Sequence, residues 1–127
     1  MARVTQLVVR VENKPGELAR VCSELAKFAV NISAVMAFHD SEPAVRLVAT
    51  PVPAAKKVLD QMGLSYREED AVAVRVNDRP GALGRITRKL GEKGINIEYA
   101  YGSIVKGADR ALIILGVSDV KKAVELV

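Results

Sequence analysis

The chain has 127 residues, 50% hydrophobic and 27% charged, with 4% aromatic and no tryptophan, so it has the make-up of a globular protein with a Val, Leu, Ile and Ala core, and disorder is excluded as a default. At that length one compact domain, or two small fused ones, buries about two-thirds of the surface its unfolded form exposes. The net charge of +4 invites nucleic acid as a partner, but residues 1–64 carry eight basic and six acidic side chains and residues 65–127 eleven and nine, so the excess is spread evenly and forms no basic stripe.

The N-terminal run between Arg3 and Arg10 is too short for a secretory core. Residues 111–117 form the longest apolar stretch, far short of the roughly 20 residues of a membrane span. A cytoplasmic location without membrane contact is the expectation. Cys22 is the single cysteine; it permits no intrachain disulfide, and its place between Leu18 and Leu25 on an apolar helix face predicts core packing.

In chain order, alternating Leu7, Val9 and Val11 predict a strand over 6–12, and Leu18, Val21 and Leu25 predict a helix running to about Phe28. A strand over 31–38 follows, then a polar connection over 39–43 in which His39 is expected to be exposed, then a strand over 45–50. Pro51 and Pro53 stop that strand. A helix over 53–61 ends at Gly63, and 64–69 can form a short fourth strand. The same order then repeats: a strand over 71–77, a helix over 81–93, a strand over 95–103, a connection over 106–109, a strand over 110–117 and a helix over 119–127. Residues 7–62 can be laid on 72–127 without a gap, including identities at Leu47, Val52, Lys56 and Lys57, so the chain is an internal duplication with repeats 1–69 and 70–127. Each repeat reads βαββαβ, with helices on one face of an antiparallel sheet, except that the second lacks its last strand. The first strand of the second repeat is thereby left as an open edge, which a strand over 64–69, the N-terminus or a second chain must cover; the expectation is a homo-oligomer.

Both repeats turn from first strand to helix through Pro-Gly: Glu12-Asn-Lys-Pro-Gly-Glu-Leu18 and Asn77-Asp-Arg-Pro-Gly-Ala-Leu83. Proline is expected at the first helical position, and Gly16 and Gly81 bare the backbone beside the positive end of the helix. Such a start offers unpaired N–H groups to a carboxylate. A helix entry of this kind is commonplace when it occurs once; its repetition with the same flanks points to a site. Asn31 and Asn96, at the openings of apolar strands, either tie the helix-to-strand turn or contact a ligand.

Asp78-Arg-Pro-Gly-Ala-Leu-Gly-Arg-Ile86 followed by Glu92-Lys-Gly-Ile-Asn-Ile97, with the related run in the first repeat, resembles the ACT domain, the small-molecule regulatory module of amino-acid-pathway enzymes. The resemblance covers nearly the whole chain, twice, and implies two ferredoxin-like α+β repeats that bind an amino acid at the interface between modules. It implies ligand-binding roles for Asn13, Gly16, Asn31 and Ile32, and for Asp78, Gly81, Asn96 and Ile97, with Pro15 and Pro80 shaping the turns. It also implies a metabolic enzyme or regulator as partner. Where the family has glycine before Val/Ile-Asn, the second repeat has Gly94 but the first has Ala29, a residue that disfavours positive φ. The second turn, which also has a charged Asp78 to meet an ammonium, is expected to be the better ligand loop.

An enzyme is not expected. The sequence has one histidine, no Gly-x-Ser-x-Gly, no glycine-rich phosphate loop and no carboxylate–imidazole cluster, so neither a cofactor nor a metal is implied. RNA-binding modules of this outline stack bases on sheet aromatics, but only Phe38, Tyr99 and Tyr101 are offered here. A nucleic-acid-binding protein of the same fold is the weaker alternative, and a dimerisation or protein-interaction module without ligand the stronger. Arg85, Arg88, Lys89 and Lys93 read as a solvated helix face that also contains Glu92.

Overall fold

The computed structural model describes residues 1–38, 42–103 and 107–126; the expectations for His39, Lys106 and Val127 fall outside them. In chain order the elements are β1 (Ala2–Arg10), α1 (Glu17–Lys27), β2 (Asn31–Ala37), β3 (Ala44–Thr50), α2 (Val52–Gln61), β4 (Tyr66–Asn77), α3 (Ala82–Glu92), β5 (Ile97–Ser103), β6 (Arg110–Val117) and α4 (Val120–Val124). They form two compact units, Thr5–Glu69 and Met1–Val4 with Asp70–Val127.

In the Thr5–Glu69 unit, β3 lies between β2 and β1 and is antiparallel to both, with Leu7 opposite Leu47 and Val9 opposite Val45. The first residues of β4 flank the other side of β1, and just before them the Arg10 N–H donates to Ser65 O at 2.9 Å. Alternation puts Leu7, Val9 and Leu47 on one face, where they meet Val21 and Leu25 of α1 and Leu59 of α2 in a single cluster. Each of these large apolar side chains contributes about 1.5–3 kcal/mol by leaving water. Arg46 on β3 holds Glu69 on β4 with bonds of 2.9 and 3.4 Å.

The other unit repeats this plan. β6 lies between β5 and β4, antiparallel to both, with Val72 opposite Leu115 and Val74 opposite Ile113. Val72, Val74 and Leu115 pack with Leu90 of α3 and Ala123 of α4. The open side of β4 is taken by the start of β1, which begins at Ala2 rather than near Gln6. Met1 packs on this unit's core, and the Arg3 guanidinium lies 3.9 Å from Asp70. The edge that seemed to demand a partner is covered from within the chain.

Three local expectations are corrected. Strands over 64–69 and 71–77 are one strand of 12 residues, Tyr66–Asn77, because the polar run Arg67–Asp70 stays extended. The last helix is five residues long, capped by Asp119, whose Oδ1 accepts from the Lys122 N–H at 2.9 Å. The gapless correspondence of the repeats also fails from the β2–β3 connection onward. Leu7 faces Leu47, but its counterpart Val72 faces Leu115, three residues beyond the gapless match at Leu112. The connection between β5 and β6 therefore holds three more residues between equivalent ladder positions, and the identities at Leu47, Val52, Lys56 and Lys57 join residues that are not structurally equivalent.

Candidate functional site: two Pro-Gly turns

Proline and glycine at each turn precede the helix instead of beginning it. Gly16 has φ, ψ of 84°, −10° and Gly81 of 87°, −13°, close to the +80°, 0° that the third residue of a type II turn requires. The turn is closed by the Glu17 N–H on Lys14 O at 3.3 Å and, in the second repeat, the Ala82 N–H on Arg79 O at 3.2 Å. The helices start one residue later, with Arg20 N–H on Gly16 O at 2.9 Å and Arg85 N–H on Gly81 O at 3.0 Å. No side chain caps either helix, so the N–H groups that helix geometry leaves over at the start have no side-chain partner.

The polar side chains differ. In the first turn the Lys14 ammonium sits 2.8 Å from the Glu12 carboxylate, both about two-thirds exposed at 69% and 66%. The Lys14 hydrogen bond, reinforced by its charge, lowers the Glu12 pKa, and Glu12 correspondingly raises that of Lys14. The equivalent positions in the second repeat are Asn77 and Arg79, which cannot form this pair. Asn13 and Asp78 are exposed, as are Asn31 and Asn96.

At the far end of each helix the two repeats agree. Ala29 adopts φ 56° and Gly94 φ 72°. Val30 N–H reaches Leu25 O at 3.0 Å, and Ile95 N–H reaches Leu90 O at 3.0 Å. Although alanine disfavours positive φ, Ala29 takes the left-handed conformation that the turn requires. Asn96 lies just before β5, its N–H donating to Ser118 Oγ at 2.9 Å.

Within one unit these residues do not converge. Asn13 and Gly16 lie before α1 and Asn31 and Ile32 after it, and the 11 residues of α1 span about 16 Å at 1.5 Å each. Asp78 and Gly81 are separated from Asn96 and Ile97 by α3 in the same way.

Beside the first turn the surface sinks into a cleft of about 160 Å³. Val11 and Leu18 wall it on one side, and Ala37, Phe38, Pro43 and Val45 on the other, with Glu12, Asn13 and Lys14 on its lining as well. Leu18 is 37% exposed and Phe38 67%. Beside the cleft, and among the described residues, the β1–β3 ladder runs to Arg10 opposite Ala44, and Val11 N–H donates to Pro43 O at 2.9 Å. In the second repeat the ladder continues past the equivalent level to Asn77 opposite Arg110, and Asp78 N–H donates to Asp109 O at 2.9 Å.

A family model described as an ACT domain pair matches residues 2–127. The chain belongs to that family. Among solved structures, the ACT pair is similar to the protein BT0572 from Bacteroides thetaiotaomicron, with a TM-score of 0.89 and 27% identity over 98% of this chain and 85% of that one. It shares its fold with the regulatory subunit of aspartate kinase from Thermus thermophilus, with a TM-score of 0.65 and 16% identity over 98% and 89% of the two chains. The aspartokinase alpha and beta subunits give a TM-score of 0.65 at 17% identity, over 98% and 92%. No curated protein sequence matches it. Among the described residues of the ACT pair no group of His, Cys, Asp or Glu could hold a metal ion, and no helix is long and apolar enough to cross a membrane. The sequence pattern located the turns of the ACT pair but not the cleft, whose walls come from two stretches more than 15 residues apart; a three-residue difference in connection length, visible only in the ladders, is the signal that separates the repeats.

Proposed function

We propose that the ACT pair is a regulatory protein that binds a small carboxylate, an amino acid, at its Pro-Gly turns. The observation that carries this reading is the duplicated type II turn, which delivers an uncapped helix start with the same backbone bonds in both repeats. N–H groups at a helix start and the positive end of its dipole suit a carboxylate. α1 and α3 keep each turn away from its own repeat's asparagine, so the proposed ligand contacts fall into two sets in each repeat: Asn13 with Gly16 and Asn31 with Ile32 in the first, Asp78 with Gly81 and Asn96 with Ile97 in the second. The exposed carboxamides meet the ligand's ammonium or side chain, and Asp78 adds a charge. A metabolic enzyme or regulator reads the bound state, by analogy with the regulatory subunit of aspartate kinase that shares this fold.

A thermal-shift screen of the full chain against the twenty amino acids tests this, because a ligand selective for the native state raises the midpoint. One or a few amino acids should raise it, and Asp78→Ala or Asn96→Ala should weaken calorimetric binding by about ten- to a hundredfold, the worth of one charge-assisted hydrogen bond. No shift with any amino acid would sink the reading. A second reading, a homo-oligomerising or protein-interaction module, is favoured by the exposure of Phe28, Val35 and Phe38 at 53%, 47% and 67%. A single 13.7 kDa species in sedimentation at micromolar concentration would remove the self-association form of that reading.

A further inference from the structure

We infer that the cleft beside the first turn takes the apolar side chain of a free α-amino acid, branched aliphatic or phenyl in size, and that the second turn has no such selectivity. This inference rests on the amino-acid-binding reading and names the ligand class at one of its turns. Size is the first argument. A cleft of about 160 Å³ is close to the roughly 150 Å³ cavity known to hold benzene, and well below the roughly 300–1,000 Å³ of pockets for drug-sized ligands. Val11, Leu18, Phe38, Pro43 and Val45 give the cleft an apolar wall on which an aliphatic or phenyl side chain can shed water, while its polar groups, Glu12, Asn13 and Lys14, belong to the turn at its rim.

The rim supplies the second argument. Glu12 and Lys14 present a carboxylate and an ammonium 2.8 Å apart, and a free α-amino acid carries the complementary pair on neighbouring atoms. Its carboxylate, seated at the helix start, can take the place of Glu12 at the Lys14 ammonium while its ammonium meets the Glu12 carboxylate. The exposed pair is itself only weakly stabilising, so the exchange sacrifices little. A residue within a peptide has neither α-charge and leaves the rim unmatched, which favours a free amino acid over a partner protein's side chain.

The second repeat differs at both features: the position equivalent to Phe38 is Ser103 and that of Glu12 is Asn77, so neither the aromatic wall nor the carboxylate of the rim is repeated.

Calorimetry on the full chain with leucine, phenylalanine, serine, aspartate and lysine, and with 4-methylpentanoate as the leucine analogue without its ammonium, tests the inference. Leucine or phenylalanine should bind at least tenfold more tightly than serine, aspartate or lysine, consistent with the ten- to two-hundredfold that one methylene is worth in an apolar pocket. Loss of the ammonium should also cost about tenfold. Phe38→Ala, at an exposed position where folding is safe, and Ala37→Leu, which fills the cleft, should each weaken leucine at least tenfold, while Ser103→Ala should leave it unchanged. If a polar amino acid binds best, or if Phe38→Ala binds leucine as the parent does, this inference is overturned and the amino-acid reading stands. If no amino acid binds at all, both fall.

Discussion

The two repeats arrive at the same backbone with different side chains, and where they differ shows which features the fold demands. The turn bonds, the first helix of each repeat and the helix exit match throughout at an offset of 65 residues. The side-chain pairs across the edge hairpins do not. In the first repeat Ala34 faces Val48, while in the second the equivalent pair is Tyr99 facing Gly116. Small opposite medium has become large opposite none, with the Tyr99 ring lying where a Gly116 Cβ would be. The helix surfaces diverge too: α1 carries ion pairs from Arg20 to Glu17 and from Lys27 to Glu24, whereas α3 has Ala82 and Lys89 at the positions of those glutamates. By structural unit the net charge is 8 − 8 = 0 for residues 5–69 and 11 − 7 = +4 for residues 1–4 with 70–127. The whole excess lies in one unit, which counting by sequence halves concealed.

The largest expected effect comes from forcing one hairpin toward the other. Gly116→Val should destabilise the protein by about 1–3 kcal/mol, the usual result of overpacking, because the tyrosine ring must leave its place. Adding Tyr99→Ala should recover most of that loss, since it recreates the pair at Ala34 and Val48. Urea denaturation of the two single variants and the double variant gives the coupling directly. Additive losses would mean that Tyr99 and Gly116 do not compensate for one another.

A smaller effect is expected at the helix exits. Ala29 holds φ 56°, a conformation that costs an L-residue roughly 1–2 kcal/mol, partly offset by the lower backbone entropy of alanine in the unfolded chain, about 0.4–1 kcal/mol. Ala29→Gly should therefore stabilise by about 0.5–1 kcal/mol. Gly94→Ala should destabilise by a similar amount, since no atom lies within 4 Å of its added Cβ and only the backbone resists. The comparison breaks if both substitutions move the denaturation midpoint in the same direction.

These differences also mark what could be read from the sequence. Periodicities of 2 and 3.6 exposed the order of strands and helices because Leu7, Val9, Val21 and Leu25 point one way into one core. Pro-Gly announced a turn, but residue types alone did not say that it is a type II turn placed before the helix. The fused β4 was hidden by Arg67–Asp70, whose polar side chains look like a linker although Glu69 is held by Arg46 across the sheet. The three-residue offset was masked by coincidence: valine, leucine and lysine are so frequent in this chain that a wrong alignment still collects identities. The candidate ligand residues were legible one by one. Their separation by the length of α1 was not, because sequence distance does not show that Asn13 and Asn31 lie at opposite ends of a helix.

The smallest effect is a titration. Glu12 accepts a hydrogen bond from Lys14, and that bond, with the attraction between the charges, lowers its pKa below the ordinary carboxylate range. The group is charged when the contact exists, so the contact is fully present above the pKa of Glu12 in the unfolded chain and is lost as pH falls through the lower folded value. Carboxyl resonances followed by NMR against pH should show Glu12 titrating lower in the parent than in Lys14→Met, which returns it toward the ordinary range, while Arg79→Met, at the equivalent position of the second turn, should leave Glu12 where it was. Since the side chains are exposed, raising the ionic strength should shrink the depression in the parent and do little in Lys14→Met. A Glu12 that titrates identically in the parent and in Lys14→Met would show that no ion pair forms at the mouth of the cleft in solution, and the charged rim would no longer set the first turn apart from the second.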